Sequence, residues 1–350
     1  MTSETPPLEL ASALHVAGRL AEAEPIYRRI LQGDPREQTA RNNLIALVRA
    51  QERWAEAEAL LREAIELAPD DAELRQRLAV AVLADGRYAE GWPLFEARRD
   101  PRLREYVKTP PLPIPEWDGG PVEALLAWPE QGFGDAIQFA RFLPVLATRG
   151  IRVTVLCRPE LLTLFQDAGL AAYPAQGGAE LPAQQAWSLM GSLPGRMGVT
   201  LETLPPPLPI RAEPTRRGGI GIMTSGHSGH RNDANRSLPP AAAAALMALP
   251  GAVSLDPRDS GARDFRDTAG LIAGLDQVVS VDTAVAHLAG SMGKPTAVLL
   301  PRLNTDWRWL RGRTDCPWYP SLTLYRQAEA GDWEPELVAV RRDLAAKGLI

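Results

Sequence analysis

Apolar and small positions along the first hundred residues recur in a register of 34: Leu14, Val48 and Val82; Ala21, Ala55 and Ala89; Ala23, Ala57 and Gly91; Tyr27, Leu61 and Phe95. The spacing within each block follows a helix face. The small residue at the third of these positions lets paired helices approach closely, and the large residue four later fills the next groove. Pro35 and Pro69 end successive blocks, because proline cannot donate the backbone hydrogen bond that would continue a helix.

A period of 34 residues built from helix pairs is that of tetratricopeptide (TPR) repeats. Each pair exposes an apolar face that only stacked neighbours can cover, and about three units are the usual minimum. The array over residues 1–107 sits at that minimum, and DPRLREYVK is a candidate capping helix. Two roles stay open for it: a brace for the rest of the chain, or a concave groove that holds a peptide or protein.

At Lys108 the texture changes. The stretch TPPLPIPEWDGGP holds Pro110, Pro111, Pro113, Pro115 and Pro121, which favour extended backbone and stop helices. Residues 108–121 therefore read as a linker. Beyond it, short apolar runs alternate with helical patterns, which predicts βα units and parallel sheets. The lobe at 122–212 reads as strand EALLAW, glycine loop PEQGFGD, a helix from Asp135 to Arg149, strand IRVTVLC and helix RPELLTLFQDAG. After a second proline-rich connection, LPPPLPIRAEPTRRGG, the pattern restarts. The lobe at 213–350 reads as strand GIGIMTS, helix AAAAALMALP, strand AVSL, helix DTAGLIAGL, strand QVVSV, helix TAVAHLAGSMG, strand TAVLL and a C-terminal helix. The predicted fold class is an all-α TPR solenoid followed by an α/β part of two Rossmann-like lobes. Ligands in such sheets bind beyond the carboxyl ends of the strands.

Composition narrows the function. A chain of 350 residues exceeds what one core organises. The formal net charge of −5 gives no general attraction to polyanions, so a nucleic-acid partner is not expected. Cys157 and Cys316 stand alone, without a CxxC pair, which suggests neither a disulfide framework nor a structural zinc site. MTSETPPLEL lacks the basic and apolar regions of a signal peptide, and no uninterrupted apolar run reaches membrane-spanning length. A cytoplasmic protein without membrane insertion is the expectation.

The most informative segment is VVSVDTAVAHLAGSMGKPTAVLL, where a buried strand runs into a helix begun by Asp282 and Thr283. Free amides and the positive end of the helix dipole there favour a diphosphate, and Thr283 adds a hydroxyl. His287 shares the helix face of Thr283. The plainer alternative is an ordinary N-cap and a buried histidine. The loop SGHSGHRNDANRSLPP carries His227, His230, Arg231, Asp233 and Arg236. Arginine suits phosphate because its fork donates two hydrogen bonds at once. The His and Asp spacing in this loop matches no specific zinc pattern, and no metal is expected. Trp307, Trp309, Trp318 and Tyr319 read mainly as packing residues. Asp306 and Arg308 are left outside the predicted site.

VDTAVAHLAGSMGKPTAVLL resembles the donor-site segment of glycosyltransferase family 9, the heptosyltransferase family, whose pattern is Asp-Thr-Gly-x-x-His; Ala284 replaces the glycine. The resemblance runs from residue 122 to about 335, and the fusion is similar to bacterial TPR proteins with a family 9-like domain, some of which glycosylate proteins. It implies a GT-B fold with the acceptor lobe first and the donor lobe second. It also implies inversion with a nucleotide sugar as substrate and neither metal nor cofactor. In GFGDAIQFARFLPVL the family's catalytic base falls on Asp135, with Glu130 in reserve. Gly132 and Gly134 allow the backbone to approach a ligand closely. The basic residue on the diphosphate falls on Arg236, with Arg231 in reserve, and His230, Asp282, Thr283, Ala284 and His287 complete the implied donor site. A protein or peptide acceptor held by the TPR groove is the expected partner. A noncatalytic TPR adaptor with degenerate lobes is the alternative, and a lipopolysaccharide heptosyltransferase is the less favoured one.

Overall fold

The computed structural model describes residues 6–350 apart from residues 105, 131 and 179. Six helices come first: α1 (Pro7–Val16), α2 (Leu20–Gly33), α3 (Gln38–Ala50), α4 (Trp54–Leu67), α5 (Ala72–Ala84) and α6 (Tyr88–Phe95). They are the TPR helix pairs. Repeating positions at the helix contacts are buried, with Ala23, Tyr27 and Val48 at 0% exposure and Ala57 at 3%, whereas Ala21, Ala55 and Ala89 are exposed. The turn inside each pair also keeps the 34-residue register, with positive φ at Gly18 (73°), Glu52 (59°) and Gly86 (76°). Glycine enters that left-handed region without cost, whereas Glu52 adopts it against its Cβ.

The chain divides into two compact units. The first holds residues up to Leu83 together with Pro93–Lys108, and the second holds Ala84–Trp92 with Thr109–Ile350. The second unit thus begins after Lys108 and also takes in Ala84–Trp92, from the last residue of α5 into α6. Tyr88 and Trp92 belong to the second unit because they pack there against Trp307, at ring-centroid distances of 6.2 and 5.5 Å. Residues 101–104 form turns rather than a capping helix.

In the second unit β1 (Ala124–Trp128) leads to α7 (Phe133–Phe139) and α8 (Phe142–Thr148), β2 (Arg152–Cys157), α9 (Pro159–Asp167), β3 (Ala171–Pro174), β4 (Ala186–Leu189) and α10 (Leu193–Arg196). The second lobe runs β5 (Ile220–Met223), α11 (Asp233–Arg236), α12 (Pro240–Met247), β6 (Ala252–Ser254), α13 (Pro257–Ser260), α14 (Phe265–Ala273), β7 (Gln277–Val281), α15 (Ala284–Ser291), β8 (Thr296–Leu300), β9 (Leu322–Arg326) and α16 (Glu334–Ala346). Every pairing of these strands is parallel, in the orders β3-β2-β1-β4 and β6-β5-β7-β8-β9. Two Rossmann-like lobes after a TPR array match the predicted fold class. In the second sheet the order reverses between β5 and β7, where parallel sheets open a crevice at their carboxyl ends.

Two expectations change. The single helix predicted from Asp135 to Arg149 is interrupted at Ala140–Arg141, since Pro144 cannot donate to the carbonyl of Ala140. The proline-rich stretch at 108–121 is not wholly a free linker: Trp117 donates its backbone N–H to the Trp187 carbonyl at 2.7 Å, and Trp187 donates to Pro115 at 3.0 Å. Its end thus pairs with β4.

Candidate active site at the carboxyl ends of the strands

The loop after β1 turns at Gly132, which caps α7 with φ −89° and ψ 138°, and places Asp135 in the first helical turn. An acidic group is favoured there by the helix dipole. A Cβ on Gly132 would lie 2.6 Å from Asp135 Oδ2, so the carboxylate folds back over the glycine. Gly134 meets the second lobe. A Cβ there would stand 2.7 Å from His287 Cδ2 on α15, an approach that only glycine permits.

His287 is 6% exposed and stacks on Trp309 at 5.1 Å, with its Nδ1 3.1 Å from the Tyr319 hydroxyl. Burial pushes it down to about 3, with the positive charge of Arg308 in the same direction. The ring is neutral at physiological pH and wedges the two lobes together as an uncharged group.

Thr283 caps α15 without a side-chain hydrogen bond to the helix; its hydroxyl lies 3.2 Å from that of Ser280. Ala284 is the first helical residue, so its backbone amide is among those no carbonyl of the helix can satisfy. Burial, then the neighbouring Asp306 carboxylate, pushes Asp282 up to about 6. Arg236 arrives from the loop after β5: its Nη1 donates to the Asp282 carbonyl at 2.9 Å and its Nε to Asp233 Oδ1 at 3.1 Å. The guanidinium stands against Gly226, where any Cβ would collide with it.

Other predicted residues lie elsewhere or serve locally. Arg231, His227 and His230 are exposed. His230 Nδ1 accepts from the Asn232 amide at 3.2 Å, and burial followed by the charges of Arg236 and Arg231 lowers its pKa. Glu130 accepts a 2.7 Å hydrogen bond from the Gly191 amide, tying the loop after β1 to the one after β4. Among the described residues no group of three or more His, Cys, Asp or Glu is placed to hold a metal ion. A hollow of about 320 Å³ opens beside this loop, lined by Asp233, Asn235, Leu303, Gln327 and Trp333.

Asp306 and Arg308, outside the site that the sequence predicts, are joined to Asp135 in the structure. Arg308 Nη2 donates to Asp135 Oδ1 at 2.5 Å, and its Nη1 donates to both oxygens of Asp306 at 2.9 and 2.8 Å. Burial works against its charge, yet Asp135 and Asp306 hold it above an ordinary arginine. Burial likewise opposes the charge on Asp306, and Arg308 nevertheless keeps that carboxyl below its usual range. The available signal was Asp-x-Arg between two tryptophans in DWRW, directly after β8 at a strand carboxyl end. The tryptophans are packed as expected, with Trp307, Trp309 and Trp318 at 3%, 1% and 0% exposure.

Residues 48–91 match the tetratricopeptide-repeat family. Over 87 residues, 24% of this chain, the sequence is 36% identical to protein FlbA of Caulobacter vibrioides (strain ATCC 19089 / CIP 103742 / CB 15). That match takes in 14% of the length of FlbA. Among solved structures, the iron-containing dodecameric glycosyltransferase TibC of enterotoxigenic E. coli H10407 is similar with a TM-score of 0.44 and 14% identity, covering 67% of this chain and 78% of TibC. A mutant of the O-GlcNAc transferase of Thermobaculum terrenum is similar at a TM-score of 0.23 and 16% identity, over 84% of this chain and 81% of that one. No helix of the described residues is long and apolar enough to cross a membrane.

Proposed function

We propose that the chain is an inverting, metal-independent glycosyltransferase that moves a sugar from a nucleotide-sugar donor to a hydroxyl, on a protein or peptide recruited by the TPR repeats. The observation that carries the reading is the approach of the Gly134–Asp135 turn of one lobe to His287 on α15 of the other, where the Cβ of any residue but glycine at 134 would meet His287 at 2.7 Å. The turn that carries Asp135 thereby packs on α15, the helix whose N-terminus is suited to a diphosphate. The acceptor hydroxyl attacks the anomeric carbon and gives its proton to Asp135. The bond from that carbon to the diphosphate breaks, and the amides of α15 with the Arg236 guanidinium take up the charge of the leaving group. The hollow beside Asn235 falls at the lower end of the size range of small-ligand sites, room for a nucleoside.

The test is release of nucleoside diphosphate from a panel of nucleotide sugars by the full chain and by Asp135→Asn. The variant is expected to lose about 10²–10⁴ in turnover, the worth of a positioned general base, while still binding donor. Turnover retained in Asp135→Asn sinks the assignment of the base. A second reading, a noncatalytic adaptor, is favoured by one feature: both bonds of Arg236 already go to the protein itself. Partner capture through the repeats without donor turnover would establish it.

A further inference from the structure

Arg308 is a cation built into place more firmly than its ion pairs require. Its guanidinium carbon sits 4.6 Å from the Trp307 ring centroid and 5.4 Å from that of Phe139. Trp307 is wedged edge-on among Trp92, Trp318 and Tyr88. The next turn is strained: Leu310 takes φ 51°, a region a leucine rarely enters. That conformation is held by Arg326, whose Nη2 donates to the carbonyls of Trp309 at 2.5 Å and Leu310 at 2.6 Å. Arg311 adds a backbone bond to the Ala84 carbonyl at 2.9 Å and an ion pair to Asp85 at 2.5 Å. Strain over-determined by its surroundings in this way points to a functional constraint on the loop.

The exposures divide the labour. The Arg308 side chain is 9% exposed, whereas the Asp135 carboxylate it holds is 35% exposed. The cation is buried, and the two carboxylates it holds, Asp135 and Asp306, are each 35% exposed. We propose that Arg308 is the positioning residue of this transferase: it fixes the Asp135 carboxylate at the cleft and keeps it in the ionised form that accepts the acceptor's proton. The assignment rests on the function proposed above. One guanidinium serves two carboxylates, so Asp306 competes with Asp135 for it. Other titratable or charged groups around the pair include Asp282, ahead of α15, the neutral His287, Arg141 on the turn before α8, Tyr88 and Arg236.

The experiment is a titration of the whole chain carrying ¹³C at the aspartate carboxyl carbons, with the Asp135 signal assigned through Asp135→Asn. In Arg308→Gln the Asp135 signal is expected to titrate about 1 pH unit or more higher, the usual effect of removing an adjacent arginine. Arg308→Lys recovers part of that. Asp306→Asn moves the signal the opposite way, to lower pH, and tests the same claim if Arg308→Gln does not fold. In nucleoside diphosphate release, the acid limb of the pH profile moves upward in Arg308→Gln, and added guanidinium ion restores rate while nucleotide affinity stays unchanged. An Asp135 titration that ignores both substitutions overturns the proposal, as does an acid limb that stays where it was. The titration needs no substrate, so a wild-type chain that turns over no nucleotide sugar defeats the transferase reading while Arg308 is still judged on Asp135.

Discussion

Two arginine-bearing loops follow strands of the second sheet, and they differ in what they join. Arg236, after β5, spends its bonds on Asp233 and the Asp282 carbonyl, both in its own lobe. Arg308, after β8, reaches across to Asp135 of the other lobe. The first arginine belongs to a binding surface, and its loss should weaken a ligand. The second belongs to the junction where chemistry is expected, and its loss should alter a base. Buried charges are kept where they fix one arrangement rather than where they add stability, and the three-way contact of Asp135, Arg308 and Asp306 has that character.

A glycine also stands on each side of the comparison, Gly134 next to Asp135 and Gly226 against Arg236, which gives a way to break it. Gly134→Ala pushes a methyl into His287, and that ring cannot yield because Trp309 and Tyr319 hold it. A loss of about 1–3 kcal/mol, the usual cost of overpacking a tight contact, is expected in urea denaturation monitored by tryptophan fluorescence. Gly226→Ala instead displaces the Arg236 guanidinium, and is expected to leave the unfolding midpoint alone while weakening nucleotide binding. If the two exchange effects, the division between junction and binding surface is wrong.

A smaller effect is expected from pH. Asp282 is pushed up to about 6 by burial and by Asp306, so its folded pKa lies above its unfolded one. The folded state binds the extra proton in that window, and stability falls as pH rises through it. The charge gained above about 6 stands beside the proposed diphosphate. Nucleoside diphosphate affinity should therefore tighten as pH falls from neutrality toward about 5.5, more in the wild type than in Asp282→Asn. Calorimetry at both pH values on both proteins reads the difference, and equal pH dependence would remove Asp282 from the site. His287, at about 3, does not titrate in the folded protein over this range and so does not contribute to the pH dependence of binding, although through its ordinary unfolded pKa it lowers stability as pH falls below about 6.5.

Much of the fold was legible in the sequence because it is locally encoded. The TPR array repeats its own packing every 34 residues, down to the left-handed turns at Gly18, Glu52 and Gly86. The fully buried strand β7 announces itself as QVVSV. Short strands were missed: β3 is AAYP, ending in proline at a sheet edge, and β4 is the four residues AWSL. β9, LTLYR, alternates buried and exposed positions at its start and was readable in principle. In the site, Asp282, Thr283 and His287 are marked by a strand running into a helix, but it is the resemblance of VDTAVAHLAGSMGKPTAVLL and GFGDAIQF to the family's segments that makes them, and Asp135, site candidates. Arg308 is not marked, because its partner Asp135 is 173 residues away and a short DWRW turn states no direction. The fate of Glu130 was hidden for the same reason, since its backbone partner Gly191 lies in a different loop.

The central claim is that the second lobe binds a nucleotide at the junction of β5, β7 and α15. Calorimetric titration of UDP, GDP, ADP, CDP and CMP into the wild type and into Arg236→Ala tests it most directly. The account expects one nucleotide to bind selectively and to lose about ten- to a hundredfold in affinity in the variant, the worth of a charge-assisted hydrogen bond. Binding of no nucleotide, or binding indifferent to Arg236, would contradict it and turn attention to the repeats.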